Sequence, residues 1–377
     1  MKKINRLILS CLLGFAVCIS PLPALAENVL NLLTWDGYAP DEYVAEFEAY
    51  IEKKYGKKVR LNRTYLQDTT EIFIPVRTGK ADIFVPTHHI LNDGRWKFVE
   101  NKLALPLNLD NIPNYKYVLK SFAPYTTVDG QVYAAPIAHG AYGLVYNTKY
   151  FSTPPDTWNI LWDEQYKGRY AITKGTTEVN IYITALASGY NDADMSDYAK
   201  LNTPAFRKKL RALVENAHSF WPGIDSPFHL KGLHLGTSWG WSLSGLKEMG
   251  EEWKMVDPKE GSPAWMDSHA IAHSLKEKPF LKQVAEEWIN YTLGKKYQVE
   301  VVVNYLTSAP VTQNIVDELP EEKIREFHLD DPGYVAKYRH FYPTIEKKRD
   351  RNGVKILWEN ASKGIELTER KKDASHE

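Results

Sequence analysis

Trp265 and Asp267 stand two residues apart in a run, residues 257–268, that opens Asp-Pro-Lys-Glu-Gly-Ser-Pro and continues Ala-Trp-Met-Asp-Ser. Asp-Pro and Gly-Ser-Pro break regular structure, so the run reads as a turn leading into an extended segment. In an extended segment residues i and i+2 project from one face. An indole and a carboxylate then stand side by side. That pairing suits an alkylammonium group, with methylenes and charge against the ring and the nitrogen on the oxygen. The same letters also suit a surface turn followed by a core tryptophan and a capping aspartate. Two other chemistries are weaker. His88 and His89, with His139 and His269, offer imidazoles to a metal, but adjacent strand residues face opposite ways and no zinc spacing accompanies them. Ser268 and Ser308 lack a nucleophile elbow, and no glycine-rich phosphate loop occurs. A metal receptor and a secreted enzyme are thus the lesser alternatives.

The elements around these residues follow a parallel α/β pattern. The apolar run Val29-Leu30-Asn31-Leu32-Leu33 reads as a buried strand and ends in Trp35-Asp36-Gly37-Tyr38. Asp41 can cap a helix with Val44, Phe47 and Ile51 on one face and Gly56 at its end. Residues 58–61 and 82–86 read as further strands, the latter ending at Thr87, His88 and His89. Strand alternating with helix implies a parallel sheet, and ligands bind beyond the carboxyl ends of such strands. Trp35, Asp36, Tyr38, Thr87 and His89 all fall at those ends. Strands are also expected at 143–147, at 170–173 and at 232–239, the last ending in Trp239. Helices are expected from Pro279, stopped by Gly294, and around Val354, Leu357, Trp358 and Ala361. Trp158, Trp162, Trp288 and Trp358 occupy helix or turn positions suited to the core, and Tyr142 and Tyr146 suit strand packing.

The whole chain narrows the class. Lys2, Lys3 and Arg6 precede an apolar run at 7–19 and a small-x-small site at Ala24-Leu25-Ala26, the pattern of an export signal cleaved after Ala26. Both cysteines, Cys11 and Cys18, lie inside it, so the mature chain has no disulfide and no thiolate. Without Lys2, Lys3 and Arg6, 44 basic residues face 47 acidic ones, a formal charge of about −3. That argues against nucleic acid as a partner. A mature chain of about 350 residues favours two lobes over one.

At these residues the chain resembles the bacterial periplasmic spermidine/putrescine-binding proteins, extracellular solute-binding proteins. The likeness is carried by Trp35-x-x-Tyr38, by Asp82-Ile83-Phe84-Val85-Pro86, by Trp158-x-x-Leu161-Trp162 with Tyr166-Lys167-Gly168, and by Pro258-Lys259-Glu260-Gly261 leading to Trp265-Met266-Asp267-Ser268. It implies two α/β lobes joined by two crossover strands, a periplasmic solute-binding fold with the ligand cleft between lobes. The expected division is a signal at 1–26, one lobe from 27–137 and 268–312, and the other from 138–267 and 313–377. The resemblance further implies a non-enzymatic, cofactor-free monomer in the periplasm that closes on a polyamine. It presents the ligand to an inner-membrane permease of an ABC importer or, as the alternative, to a membrane-bound sensory receptor. Trp35, Tyr38, Trp239, Trp265 and Tyr305 match positions lining the methylene chain. Glu178 and Asp267 match carboxylates that take amino groups. Thr87 stands where the family often has serine, and Asp36 keeps an acid beside Trp35. Two departures bear on the ligand: either its terminal amine is held differently, or it is a shorter or differently spaced polyamine than spermidine. His89 replaces a frequent tyrosine. Gly175 replaces a second aspartate, three residues before Glu178, so Gly175→Asp is expected to raise spermidine affinity.

Overall fold

The run from Asn28 to Thr34 lies at the heart of the first lobe because it is apolar enough to be covered on both faces. The structure, a computed structural model, describes residues 28–91, 93–331, 333–341 and 344–370. The expected export signal and both cysteines lie outside these residues. In chain order the strands are β1 Asn28–Thr34, β2 Val59–Tyr65, β3 Ile83–Phe84, β4 Ala104–Leu105, β5 Thr127–Val128 and β6 Gln131–Val132. They continue as β7 Ala134–Ala141, β8 Gly143–Asn147, β9 Tyr170–Thr173, β10 Ser219–Trp221 and β11 Leu235–Ser238. The last are β12 Trp253–Val256, β13 Ser262–Ala272, β14 Ala309–Pro310 and β15 Arg339–Phe341.

The first sheet runs β14-β7-β13-β3-β1-β2, with β4 and β15 also on β13. Strands β2 and β3 flank β1 in parallel, and β13 runs antiparallel to β3 and β7. The helix Asp41–Tyr55 buries Val44, Phe47 and Ile51 against this sheet. Its cap is Pro40 rather than Asp41, which sits in the first turn and pairs with Arg63 at 2.6 Å. Gly56 closes it with φ +65°, a left-handed stop that glycine adopts without a side-chain clash. The helix Pro279–Thr292 packs on the same core through Val284, Ala285, Trp288 and Ile289.

The second sheet runs β10-β9-β11-β8-β12. Its core gathers Tyr142, Trp158, Trp221 and Trp253, with Trp162 packed against it, and takes Val354, Leu357, Trp358 and Ala361 from the helix Lys348–Ser362. Trp358→Ala removes a ring that is 7% exposed. It is expected to cost about 3–5 kcal/mol of unfolding free energy, measured by denaturant titration. A loss under about 1 kcal/mol would take the ring out of the core.

The chain passes between sheets at Tyr142, at a turn over 257–261 and again after β15. The turn is closed by Gly261 N–H on the Pro258 carbonyl at 2.7 Å, with Gly261 at φ +76°. These passages differ from the expected lobe boundaries. The expected cuts at 137/138 and 267/268 fall inside β7 and β13, which pair along their length within the first sheet. Residues 313–341 were expected in the second lobe, but β15 pairs with β13, and Tyr334, Val335 and Phe341 join the first core. From Ile345 and the helix Lys348–Ser362 onward the chain serves the second core. His340 ties the lobes beside the crossovers, meeting Asp192 at 2.6 Å and the Glu260 carbonyl at 2.9 Å.

Candidate functional site

Asp267 occupies the middle of β13, and the strand's period of two puts its side chain on the face that carries Trp265. Both residues are 7% exposed. The pairing with β7 slips between Asp267 and Ser268, passing from Ala138 to Pro136. This irregularity stands where a proline, with no N–H to give, enters the ladder. On the other edge the chain leaving β3 runs alongside: His88 N–H reaches the Met266 carbonyl at 2.7 Å and Ser268 N–H the Pro86 carbonyl at 3.0 Å. That pairing sets Thr87 opposite Asp267. Across from it, the Tyr38 hydroxyl donates to Asp267 Oδ2 at 2.9 Å.

Burial pushes the Asp267 carboxyl up to about 6, and hydrogen bonds from Thr87 and Tyr38 hold it from rising further. The same carboxylate raises the Tyr38 hydroxyl, after the larger effect of burial, so Tyr38 keeps its proton and remains a donor. An uncompensated buried carboxylate with two neutral donors is an acceptor for a cation.

The aromatic residues expected beside it come from several elements. Tyr38 and Trp35 come from the turn after β1, which needs φ +83° at Gly37. A Cβ at Gly37 would lie 2.8 Å from Leu306 Cδ2 and 3.3 Å from Tyr305 Cε1, so Gly37 lets the Tyr305 ring approach. Tyr305 ends an eight-residue π-helical stretch, Gln298–Tyr305, and is 65% exposed. The Trp265 ring lies over Gly140, where a Cβ would come within 2.8 Å. Trp239 follows β11 and packs against the cores of both lobes. Its indole N–H donates to the Gly223 carbonyl at 3.0 Å, and its backbone N–H donates to Asp225 at 2.9 Å.

The remaining expected residues are placed as follows. Asp36 is exposed and accepts the Gly37 N–H at 2.9 Å, so one oxygen is spent on the turn. Glu178 is exposed in the first turn of the helix Thr177–Leu186 on the second lobe. His89 follows Thr87, and burial together with the charge of Arg95 lowers it to about 3, so it is neutral. His88 and His89 lie in a turn rather than a strand, with rings 5.1 Å apart. His88 packs on Tyr125 and Phe341, His139 on Phe122, and His269 on Trp288. Among the described residues no three His, Cys, Asp or Glu side chains gather to hold a metal.

Several residues near the site escape sequence reasoning. Asp225 and Gly223 orient Trp239 from a stretch with no motif. Thr344 donates to the His89 carbonyl at 3.0 Å. Gly175 has no room for a side chain: a Cβ there would lie 2.8 Å from Gly223 Cα.

A sequence profile of bacterial extracellular solute-binding proteins matches residues 42–326. The spermidine/putrescine-binding periplasmic protein 1 of Haemophilus influenzae is 25% identical over 76% of this chain and 76% of its own. The spermidine/putrescine-binding periplasmic protein of Escherichia coli is 27% identical over 81% and 85%. The crystal structure of the spermidine/putrescine ABC transporter substrate-binding protein of Streptococcus pneumoniae superposes with a TM-score of 0.70 at 18% identity, covering 89% of this chain and 99% of that one. This likeness shows the two-lobe fold. The chain belongs to the bacterial extracellular solute-binding protein family, whose members bind solutes and do not transform them.

Proposed function

We propose that this protein captures a polyamine in the periplasm, between its two lobes, and presents it to the permease of an ABC importer. The observation that carries this reading is Asp267: a buried carboxylate, donated to by Tyr38 and Thr87, on the strand face that carries Trp265. In this reading Asp267 takes a terminal ammonium and Trp35, Tyr38, Trp239, Trp265 and Tyr305 line the methylenes. Glu178 adds a carboxylate from the second lobe, and Thr87, His89 and Asp36 complete the rim. A charge-assisted hydrogen bond contributes roughly 1.5–3 kcal/mol and an aromatic face about 0.5–2 kcal/mol. Together, less the cost of association, these reach the roughly 8 kcal/mol of micromolar binding. The relatives' ligands, spermidine and putrescine, agree with that chemistry.

The test is calorimetric titration of refolded mature protein with putrescine, norspermidine, spermidine and spermine. Micromolar or tighter binding of at least one is expected; no heat with any of them would overturn the reading. A preference for norspermidine, with a membrane receptor rather than a permease retained on immobilised protein, would replace the transport partner by a sensory one. Trp239→Ala is expected to weaken the preferred ligand about tenfold, because it strips one aromatic wall held by the second lobe. Equal affinity would place that ring outside the cleft.

A further inference from the structure

His340 stands on β15, and its ring meets an acceptor at each nitrogen. Nδ1 lies 2.6 Å from Asp192 Oδ1 and Nε2 lies 2.9 Å from the Glu260 carbonyl. Asp192 opens the short helix Asp192–Met195, whose Met195 belongs to the second core. Glu260 lies in the turn through which the chain passes from β12 to β13. The pairing of β15 with β13 sets His340 beside Pro263, and the strand's period of two gives it the face that carries Trp265 and Asp267. Gly261 admits the ring, since a Cβ there would lie 2.6 Å from His340 Cδ2. One imidazole thus joins the first sheet, the crossover turn and the second lobe. It does so in an arrangement where Trp239 packs on both cores.

A carbonyl and a carboxylate both accept, so both ring nitrogens must donate, and only the imidazolium has two N–H groups. We propose that His340 is a protonation-dependent latch on lobe closure: charged, it holds both acceptors; neutral, it turns a lone pair to one of them and lets the lobes part. The groups around the ring favour the charge. Burial lowers the imidazole, as does the charge of Arg339, but the bond and charge of Asp192 and the Glu260 carbonyl raise it above its ordinary 6.5. The Glu260 carboxylate is turned to the Thr157 hydroxyl and the Trp158 N–H. Arg339 donates to Asp257 at 2.8 Å, and Tyr125 is raised by burial and by the charge of Asp192. His328 meets Asp257 at 2.9 Å, one contact that a neutral ring can also supply. The latch is therefore fully present below the ordinary 6.5 and is lost as pH rises through the higher value of the closed arrangement. Asp267, at about 6, has lost its proton before that range is reached.

Small-angle scattering of unliganded protein and calorimetric titration of putrescine, each at pH 6.5 and pH 8.5, test the latch in native protein, His340→Gln and Asp192→Asn. Native protein is expected to expand between the two pH values and to lose putrescine affinity about three- to tenfold more than either variant does. That comparison removes any titration of the ligand itself. Both variants are expected to be expanded already at pH 6.5. Asp192 is exposed, so Asp192→Asn carries the test if His340→Gln does not fold. A native response equal to that of Asp192→Asn, in dimensions or in affinity, would overturn the latch. Native protein that binds no putrescine at either pH would weaken the polyamine reading and leave the scattering to decide the latch.

Discussion

Asp267→Asn is expected to weaken polyamine binding at least tenfold and, at neutral pH, to make the unliganded protein more stable. Both effects come from one buried charge. Burial raises the carboxyl from 3.8 to about 6, with Thr87 and Tyr38 offsetting part of the cost. The folded chain therefore holds this proton more tightly than the unfolded chain does. Below pH 3.8 both states are protonated and there is no penalty. As pH rises from 3.8 to about 6, the unfolded state loses its proton first and stability falls. Above about 6 the full cost, about 3 kcal/mol, is present. Asparagine keeps an acceptor for Tyr38 and carries no charge, so the variant should melt higher than native at pH 7.5, with the gain vanishing near pH 4. An ammonium ligand offsets the same cost, so native affinity should fall as pH drops below about 6, and the variant's should not. Titration and melting at pH 5 and pH 7.5 check all of this. Unchanged affinity would remove Asp267 from the ligand, and a variant less stable than native at pH 7.5 would show that its hydrogen bonds outweigh its burial.

What could be read in advance depended on whether the signal was local. Trp265 and Asp267 share a face because a strand has period two and the flanking Asp-Pro and Gly-Ser-Pro mark where it begins. That local signal matches the strand: β13 carries both residues, and both are buried. The lobe boundaries carry no such mark. Strand β7 runs from Ala134 to Ala141 through Pro136 and Gly140, residues that suggest a break which the pairing with β13 overrides. Residues 313–341 hold short elements whose apolar residues, Tyr334, Val335 and Phe341, have no common period, so their allegiance to the first core appears only on packing. His88 and His89 were read as strand residues, but the chain after Phe84 bends to follow β13, so their relation is that of a turn.

Gly175→Asp is where local and tertiary information point in opposite directions, and its effect should be large. The family resemblance implies a carboxylate at this position, so restoring one is expected from sequence to tighten spermidine. The structure reverses the sign. A Cβ on residue 175 would lie 2.8 Å from Gly223 Cα and 3.2 Å from the Pro222 carbonyl carbon, both backbone atoms that cannot rotate away. The 222–223 segment must move instead. Its Gly223 carbonyl accepts the Trp239 indole N–H, and two residues on Asp225 accepts the Trp239 backbone N–H, Ser238 Oγ and Ser242 N–H. Displacing this segment displaces Trp239, the ring that meets both lobes. Gly175→Asp and Gly175→Ala are therefore both expected to weaken polyamine binding about tenfold and to lower the melting temperature, because overpacking against backbone is costly whatever lies beyond Cβ. The alanine variant separates the two effects. It carries the clash without the carboxylate, so equal losses assign the effect to the clash. Tighter spermidine binding by Gly175→Asp than by native protein would mean that the loop yields cheaply and the new carboxylate reaches the ligand; the glycine would then be a choice of ligand rather than a demand of packing.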